Sequence, residues 1–236
     1  MSEPGPRLSV SDLHGWYGES HVLHGVNFQV GKGEIVTLLG RNGAGKTTTL
    51  RTIMGIVRKR RGEVLYGGTD ILALAAHKVS RLGIGYVPEE RGILSSLSVI
   101  ENLMLPPVSQ PGGMSVEEIY ALFPNLRGRD RTSGTRLSGG EQQMLAMARI
   151  LRTGADFILL DEPTEGLAPV IVDQIAEALK ILKERGLTIV LVEQNLQFAT
   201  SIADRHYVME QGVVVDQIAN DALGASMESL NTYLGV

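Results

Sequence analysis

The chain has no cysteine among its 236 residues, which excludes disulfides and is compatible with a cytosolic address. Aromatic residues are scarce at 5% while glycines number 28, a balance that fits a loop-rich α/β protein better than a β-sandwich. No apolar run approaches the roughly 20 residues of a membrane-spanning helix. The start of the chain, with Pro4, Gly5 and Pro6, carries no apolar stretch of the secretory type. Any membrane association therefore has to come through partner proteins. A basic face is missing too: the formal charge is −4, and the densest basic cluster, Arg58-Lys59-Arg60-Arg61, reads as a solvated turn. Nucleic acid is not an expected partner. There is no low-complexity tract and no internal repeat. The 43% hydrophobic content is enough for one large domain, or for a core with a subdomain.

Against these absences stands one dense motif, Gly40-Arg41-Asn42-Gly43-Ala44-Gly45-Lys46-Thr47. Its glycines let backbone N–H groups turn inward around a phosphate chain, Lys46 can reach the β and γ phosphates, and the Thr47 hydroxyl can hold Mg²⁺. The β-rich run Glu34-Ile35-Val36-Thr37-Leu38-Leu39 precedes it, and Thr48 to Met54 follows with helical apolar spacing. A strand entering the loop and a helix leaving it, positive end first, is the context the motif requires. These residues predict a nucleoside triphosphate site.

Residues 8–40 read as antiparallel strands leading into the loop strand. Further buried strands are expected at Ile84-Gly85-Tyr86-Val87, Phe157-Ile158-Leu159-Leu160, Thr188-Ile189-Val190-Leu191-Val192 and His206-Tyr207-Val208-Met209. They alternate with helical segments, as in a parallel sheet with crossover helices. The clearest helix runs from about Pro169 to Arg185, with Val172, Ile175, Ala176, Leu179 and Leu182 on one face and Gly186 just beyond its end. Between Arg91 and Leu137 several prolines and glycines break up helical segments, which suggests an inserted helical lobe.

The run Phe157 to Leu160 ends in Asp161-Glu162, two carboxylates delivered by the end of a buried strand. Asp161 is placed to orient Mg²⁺ or its waters, and Glu162 to polarise an attacking water as general base. A second anion-binding nest is expected at Leu137-Ser138-Gly139-Gly140-Glu141-Gln142-Gln143, where Ser-Gly-Gly opens a helix with unobstructed N–H groups. One triphosphate does not need two such nests from one subunit.

The phosphate loop, Leu-Ser-Gly-Gly-Glu-Gln, and the apolar run into Asp-Glu-Pro-Thr resemble, in order and spacing, the ATP-binding subunits of ABC transporters. The resemblance implies an α/β phosphate-loop NTPase core, a mainly parallel sheet flanked by helices, with an N-terminal antiparallel β subdomain and an inserted α-helical subdomain. It implies a single ATP-binding domain over residues 1–236. Residues 1–90 and 157–236 would form the nucleotide-binding core with the β subdomain, and residues 91–156 the helical subdomain. ATP and Mg²⁺ are the implied ligands. In the resemblance Gly40, Arg41, Asn42, Gly43, Ala44, Gly45, Lys46, Thr47 and Thr48 would hold the phosphates, and Ser138, Gly139 and Gly140 would clamp the γ-phosphate held by a facing subunit. Two ATP molecules are then sandwiched in a head-to-tail dimer. Tyr17 is similar to the aromatic that stacks on adenine, with a core or surface tyrosine and the adjacent Trp16 as alternatives. Glu165-Gly166-Leu167-Ala168 sits where the family has its dimer-communicating loop.

Two positions depart from the family pattern. Glu89 replaces the usual glutamine; it can still ligate Mg²⁺ as a hard oxygen donor but adds negative charge beside the phosphates. Gln194 replaces the usual switch histidine, and its amide can donate to the γ-phosphate without taking up a proton. Leu-Val-Glu-Gln-Asn, Asp-Glu-Pro-Thr-Glu-Gly-Leu-Ala-Pro and the ending Tyr233-Leu234-Gly235-Val236 resemble the LivF-type branch, the ATPases of branched-chain amino acid importers. That resemblance implies catalytic roles for Lys46, Glu162 and Gln194, and metal ligation by Thr47, Glu89 and Asp161. It also implies integral permease partners, a second related ATP-binding subunit or a second copy of the chain, and an extracytoplasmic binding protein acting indirectly. The chain would sit peripherally at the cytoplasmic face of the inner membrane. Urea or short-chain amide import, lipid or lipopolysaccharide export, and a soluble ABC-type ATPase acting on ribosomes or DNA are the alternatives.

Overall fold

The structure, a computed structural model, describes residues 5–222. The ending at residues 233–236 lies outside the described residues, as does Pro4. Strands β1 (Leu8–Tyr17) and β2 (Ser20–Val30) form an antiparallel pair across a turn at Gly18, whose φ of +58° suits a residue without Cβ. Strand β3 (Ile35–Leu39) then feeds the phosphate loop, and helix α1 (Lys46–Ile53) leaves it. The chain returns to the first sheet with β4 (Lys59–Tyr66) and β5 (Thr69–Asp70), giving the order β2-β1-β4-β5.

The basic cluster is therefore not a turn: Lys59, Arg60 and Arg61 open β4 and pair with Trp16, Gly15 and His14 of β1. Successive strand residues point to opposite faces, which divides the cluster. Lys59 and Arg61 face outward beside Glu19 and Asp12, while Arg60 turns inward and donates to the carbonyls of Val57, Leu72 and Leu74 at 2.6, 2.6 and 2.8 Å.

After α2 (Ala76–Ser80) and β6 (Ile84–Val87) come three helices, α3 (Val99–Met104), α4 (Val116–Leu122) and α5 (Gly139–Leu151). Each begins with a reciprocal cap, Ser98 with Glu101, Ser115 with Glu118 and Ser138 with Glu141. In each, the serine hydroxyl accepts from the glutamate N–H while the glutamate carboxylate accepts from the serine N–H. Strand β7 (Phe157–Asp161), helix α6 (Pro169–Glu184), strand β8 (Thr188–Glu193), helix α7 (Leu196–Ile202) and strands β9 (Arg205–Glu210) and β10 (Val213–Ala219) complete the described chain.

The second sheet has the order β10-β9-β3-β8-β7-β6, parallel except for β10 against β9. Its central strands are apolar on both faces, as a sheet covered on both sides requires. In β7 and β8, Ile158, Leu160, Ile189 and Leu191 pack with α5 and α6 residues such as Leu145 and Leu179. Phe157, Leu159, Val190 and Val192 pack on the opposite face with Leu50 and Ile53 of α1 and with the antiparallel sheet. Because β3, β6, β7 and β8 run parallel, the loops following Leu39, Val87, Asp161 and Glu193 all emerge at one edge, with Leu39 paired to Glu193 and Asp161 to Val192. Ligands of open α/β sheets bind at such an edge.

Candidate active site

A cleft of about 360 Å³ opens at this edge, lined by Asn42, Gly43, Gly45, Lys46, Thr47 and Thr48 of the phosphate loop together with Val22, Glu89, Glu162 and Glu165. The loop keeps its shape through glycine: φ is +83° at Gly43 and +102° at Gly45, and a Cβ on Gly45 would come within 2.9 Å of Leu23 Cδ2. Gly40 and Ala44 lie beneath the loop, where a Cβ on Gly40 would collide with the Met209 carbonyl. Lys46 is 4% exposed and folds back so that Nζ donates to the carbonyls of Gly40 at 2.8 Å and Arg41 at 3.2 Å. Glu162 Oε1 lies 3.5 Å from the same nitrogen.

Asp161 is fully buried at the end of β7. Its carboxylate accepts from the Thr47 hydroxyl at 2.9 Å and from the Tyr86 hydroxyl at 2.9 Å. Burial raises its pKa above the ordinary carboxylate value, against the pull of those two hydrogen bonds. Tyr86 is itself pushed up, by burial and then by the Asp161 charge. The Glu89 carboxyl, exposed at the cleft, is also raised, through desolvation first and then the charges of Glu165 and Glu162. Thr47, Asp161 and Glu89 are hard oxygen donors of the kind a divalent cation takes, with Thr47 bonded to Asp161 and lining the cleft along with Glu89; among the described residues no three acidic or histidine side chains gather closely enough to hold a metal by themselves.

Glu162 follows in the left-handed region, with φ of +45° and its N–H donating to the Val192 carbonyl at 3.0 Å. That conformation is costly for a residue with a side chain. Gln194 Nε2 donates to both oxygens of Glu162, at 3.0 and 2.9 Å, and to Asn42 Oδ1 at 2.8 Å. The glutamine thus joins the phosphate loop to the second carboxylate of the Asp-Glu pair.

Ser138, Gly139 and Gly140 do not line this cleft. The Ser138 N–H is taken by the Glu141 carboxylate at 2.8 Å, so the nest predicted here is narrower than the sequence suggests and leaves the N–H groups of Gly139 and Gly140 outside the cap. Both glycines sit against neighbours: a Cβ on Gly140 would come within 2.6 Å of Ile171, and one on Gly139 within 3.3 Å of the Arg91 guanidinium.

Tyr17 ends β1 with 46% of its surface exposed and is not among the cleft-lining residues. Trp16 points to the opposite face, where it stacks on His21 with ring centroids 4.3 Å apart. Sequence reasoning missed Tyr86 as a partner of Asp161 and Val22 as part of the cleft wall. Tyr86 lies three residues before Glu89, a spacing that places it on the strand feeding that loop; nothing in the local sequence marks Val22.

The family model described as ABC transporter matches residues 23–165. BraG of Pseudomonas aeruginosa, a high-affinity branched-chain amino acid transport ATP-binding protein, is 40% identical over 237 residues, covering 97% of this chain and 99% of its own length. LptB of Haemophilus influenzae, a lipopolysaccharide export system ATP-binding protein, is 35% identical over 91% of this chain and 93% of its own. Among solved structures, a dimeric ATP-binding cassette in a post-hydrolysis state bound to ADP and Pi superimposes with a TM-score of 0.80 at 27% identity, covering 90% of this chain and 98% of that one. With its phosphate loop, Asp-Glu pair and sheet edge arranged in this way, the chain belongs to the ABC transporter family, as an ATPase with the cassette fold.

Proposed function

We propose that the chain is the ATP-hydrolysing subunit of a membrane importer for branched-chain amino acids. Two cassettes sandwich two ATP molecules, the facing one being a related subunit or a second copy, and each supplies its Ser138 turn to its neighbour's nucleotide. The single observation that carries the hydrolytic part is the Glu162 carboxylate, held between Lys46 Nζ at 3.5 Å and the Gln194 amide at the lip of the phosphate loop. The separation of the Ser138 turn from that cleft supports the two-subunit reading.

In this reading Lys46 leaves the carbonyls of Gly40 and Arg41 for the β and γ phosphates. Backbone N–H groups of Gly43, Gly45, Lys46 and Thr47 stabilise the charge on the γ-phosphoryl group. Glu162 takes a proton from water as the water oxygen bonds to the γ-phosphorus; the bond to the bridging oxygen breaks and that oxygen leaves on ADP. Thr47, Asp161 and Glu89 would hold Mg²⁺, which when bound would neutralise phosphate charge. Tyr17 is the residue for adenine. Residues 1–236 form one ATP-binding domain, with residues 91–156 as its helical subdomain.

No helix among the described residues is long and apolar enough to cross a membrane. Attachment at the cytoplasmic face through permeases is supported by a cleft of about 500 Å³ lined by Met54, Ile56, Tyr86, Pro106, Pro107 and Ile150, beside exposed Met104, Leu105 and Val108. Amino acid import draws on the BraG likeness, with an extracytoplasmic binding protein delivering cargo. The LptB likeness favours a second reading, the same cassette driving lipopolysaccharide export.

The test is Glu162→Gln, which keeps shape and removes the base. ATP binding should persist while turnover falls by about 100-fold or more; normal turnover sinks the assignment. Ser138→Arg should abolish turnover with ATP binding and folding intact, and full activity in that variant ends the two-subunit model. Uptake of labelled leucine by sealed vesicles carrying the chain with its permease partners separates import from export.

A further inference from the structure

Glu193 ends strand β8 and is 2% exposed. Its two oxygens face two different loops. Oε1 accepts from the Thr164 N–H at 3.2 Å and from the Thr164 hydroxyl at 2.7 Å. Oε2 accepts from the N–H groups of Gln194 and Asn195, each at 3.2 Å. Thr164 lies two residues after Glu162, on the turn that holds Glu162 at φ +45°. The second loop carries Gln194, whose side chain reaches back to Glu162. The contacts close into a ring running from Glu193 through Thr164 and the backbone to Glu162, across to Gln194, and back.

The side-chain chemistry at this position is specific. Four donors converge on Glu193, and among the described residues no cation pairs with it. Burial raises its carboxyl pKa while those donors pull it back. A glutamine offers one oxygen and would set an NH₂ against backbone N–H groups, donor against donor. An apolar residue would leave the Thr164, Gln194 and Asn195 groups unpaired in a buried setting. The strand end needs no carboxylate for packing, but the two loops do need a shared acceptor.

We propose that Glu193 is a positioning residue for the hydrolytic step: its buried carboxylate pins the turn bearing Glu162 to the turn bearing Gln194, fixing the carboxylate and the amide in one relative placement. The inference rests on Glu162 acting as the base. Glu193 is buried and does not line the cleft, so it acts through the two loops it joins.

The test uses the full-length chain and measures kcat, KM, ATP binding by equilibrium titration, and the thermal midpoint. Glu193→Gln should lower kcat by about 10- to 100-fold, the scale of a small misplacement at a reacting centre, with ATP affinity changed less than about twofold. Thr164→Val removes one donor only and should lower kcat by a smaller factor in the same pattern. In a Gln194→Ala background the Glu193→Gln effect should shrink, since both act on the same placement.

Unchanged kcat in Glu193→Gln, an equal fall of affinity and kcat, or full additivity with Gln194→Ala overturns the proposal. If Glu193→Gln does not fold, Thr164→Val decides, and wild-type kcat in it overturns the proposal. Glu162→Gln is the control. Loss of turnover there with full turnover in Glu193→Gln removes this inference alone, whereas normal turnover in Glu162→Gln removes the base assignment and this inference with it.

Discussion

Gln194 holds Glu162 by both carboxylate oxygens, at 3.0 and 2.9 Å, from the loop that follows the adjacent parallel strand. The amide presents a fixed donor to the group proposed as base and does not change charge with pH. Gln194→Ala should lower kcat by about tenfold or more through loss of orientation. Gln194→His should add a limb to the pH–rate profile near 6.5, the ordinary histidine value, where the wild-type profile has none. A wild-type limb there that vanishes in Gln194→Ala contradicts the assignment.

Tyr86 donates to Asp161, and that hydrogen bond favours the charged carboxylate against burial. Tyr86→Phe removes the donor, so the Asp161 pKa should rise further. A higher pKa means more protonated Asp161 in weak acid and no difference well above it. The ratio of variant to wild-type ATPase activity should therefore be lower at pH 5.5 than at pH 8, by at most about fivefold, the equivalent of a hydrogen bond of about 1 kcal/mol. Equal loss at both values argues for a purely structural role.

His206 is fully buried on β9, with Nδ1 2.6 Å from the Thr37 hydroxyl and Nε2 3.0 Å from Asn220 Oδ1. Burial holds its imidazole below the ordinary 6.5. As pH falls through 6.5, the unfolded chain takes up a proton that the folded chain does not. Stability present above 6.5 is thus lost progressively down to the lowered native value. Thermal midpoints across pH 5 to 7.5 should show a steeper acid-side fall in wild type than in His206→Gln; parallel curves would exclude His206 as the cause.

Arg60 ties the start of β4 to three carbonyls of the segments around it. Arg60→Met keeps the apolar stem and removes the donors, and should cost about 3 kcal/mol at about 1 kcal/mol per hydrogen bond, read as a lower urea midpoint at unchanged slope. A change within about 0.5 kcal/mol would show that water replaces these bonds.

The strands at Ile84–Val87, Phe157–Asp161 and Thr188–Glu193 were legible because strands buried on both faces are short, continuous apolar runs. Helix α6 was legible from its spacing and from Pro169 at its first turn. Strand β4 was not: four consecutive basic residues look solvated, and only pairing with β1 shows that Arg60 turns inward while its neighbours stay out. The phosphate loop could be read residue by residue because local backbone geometry makes it. The Glu193 ring could not, since Thr164 and Glu193 are 29 residues apart and meet only through the parallel pairing of β7 and β8.

The sequence by itself determined the nucleotide chemistry, because glycine spacing, a lysine and two carboxylates after an apolar run act through local conformation. Tertiary structure alone decided how those pieces face one another: sheet order puts Asp161 beside Thr47 and Gln194 against Glu162, and it keeps the Ser138 turn out of the cleft that holds them. The physical reason is that side-chain type and near-neighbour spacing are written along the chain, whereas register and strand order arise from burying both faces of the sheet at once.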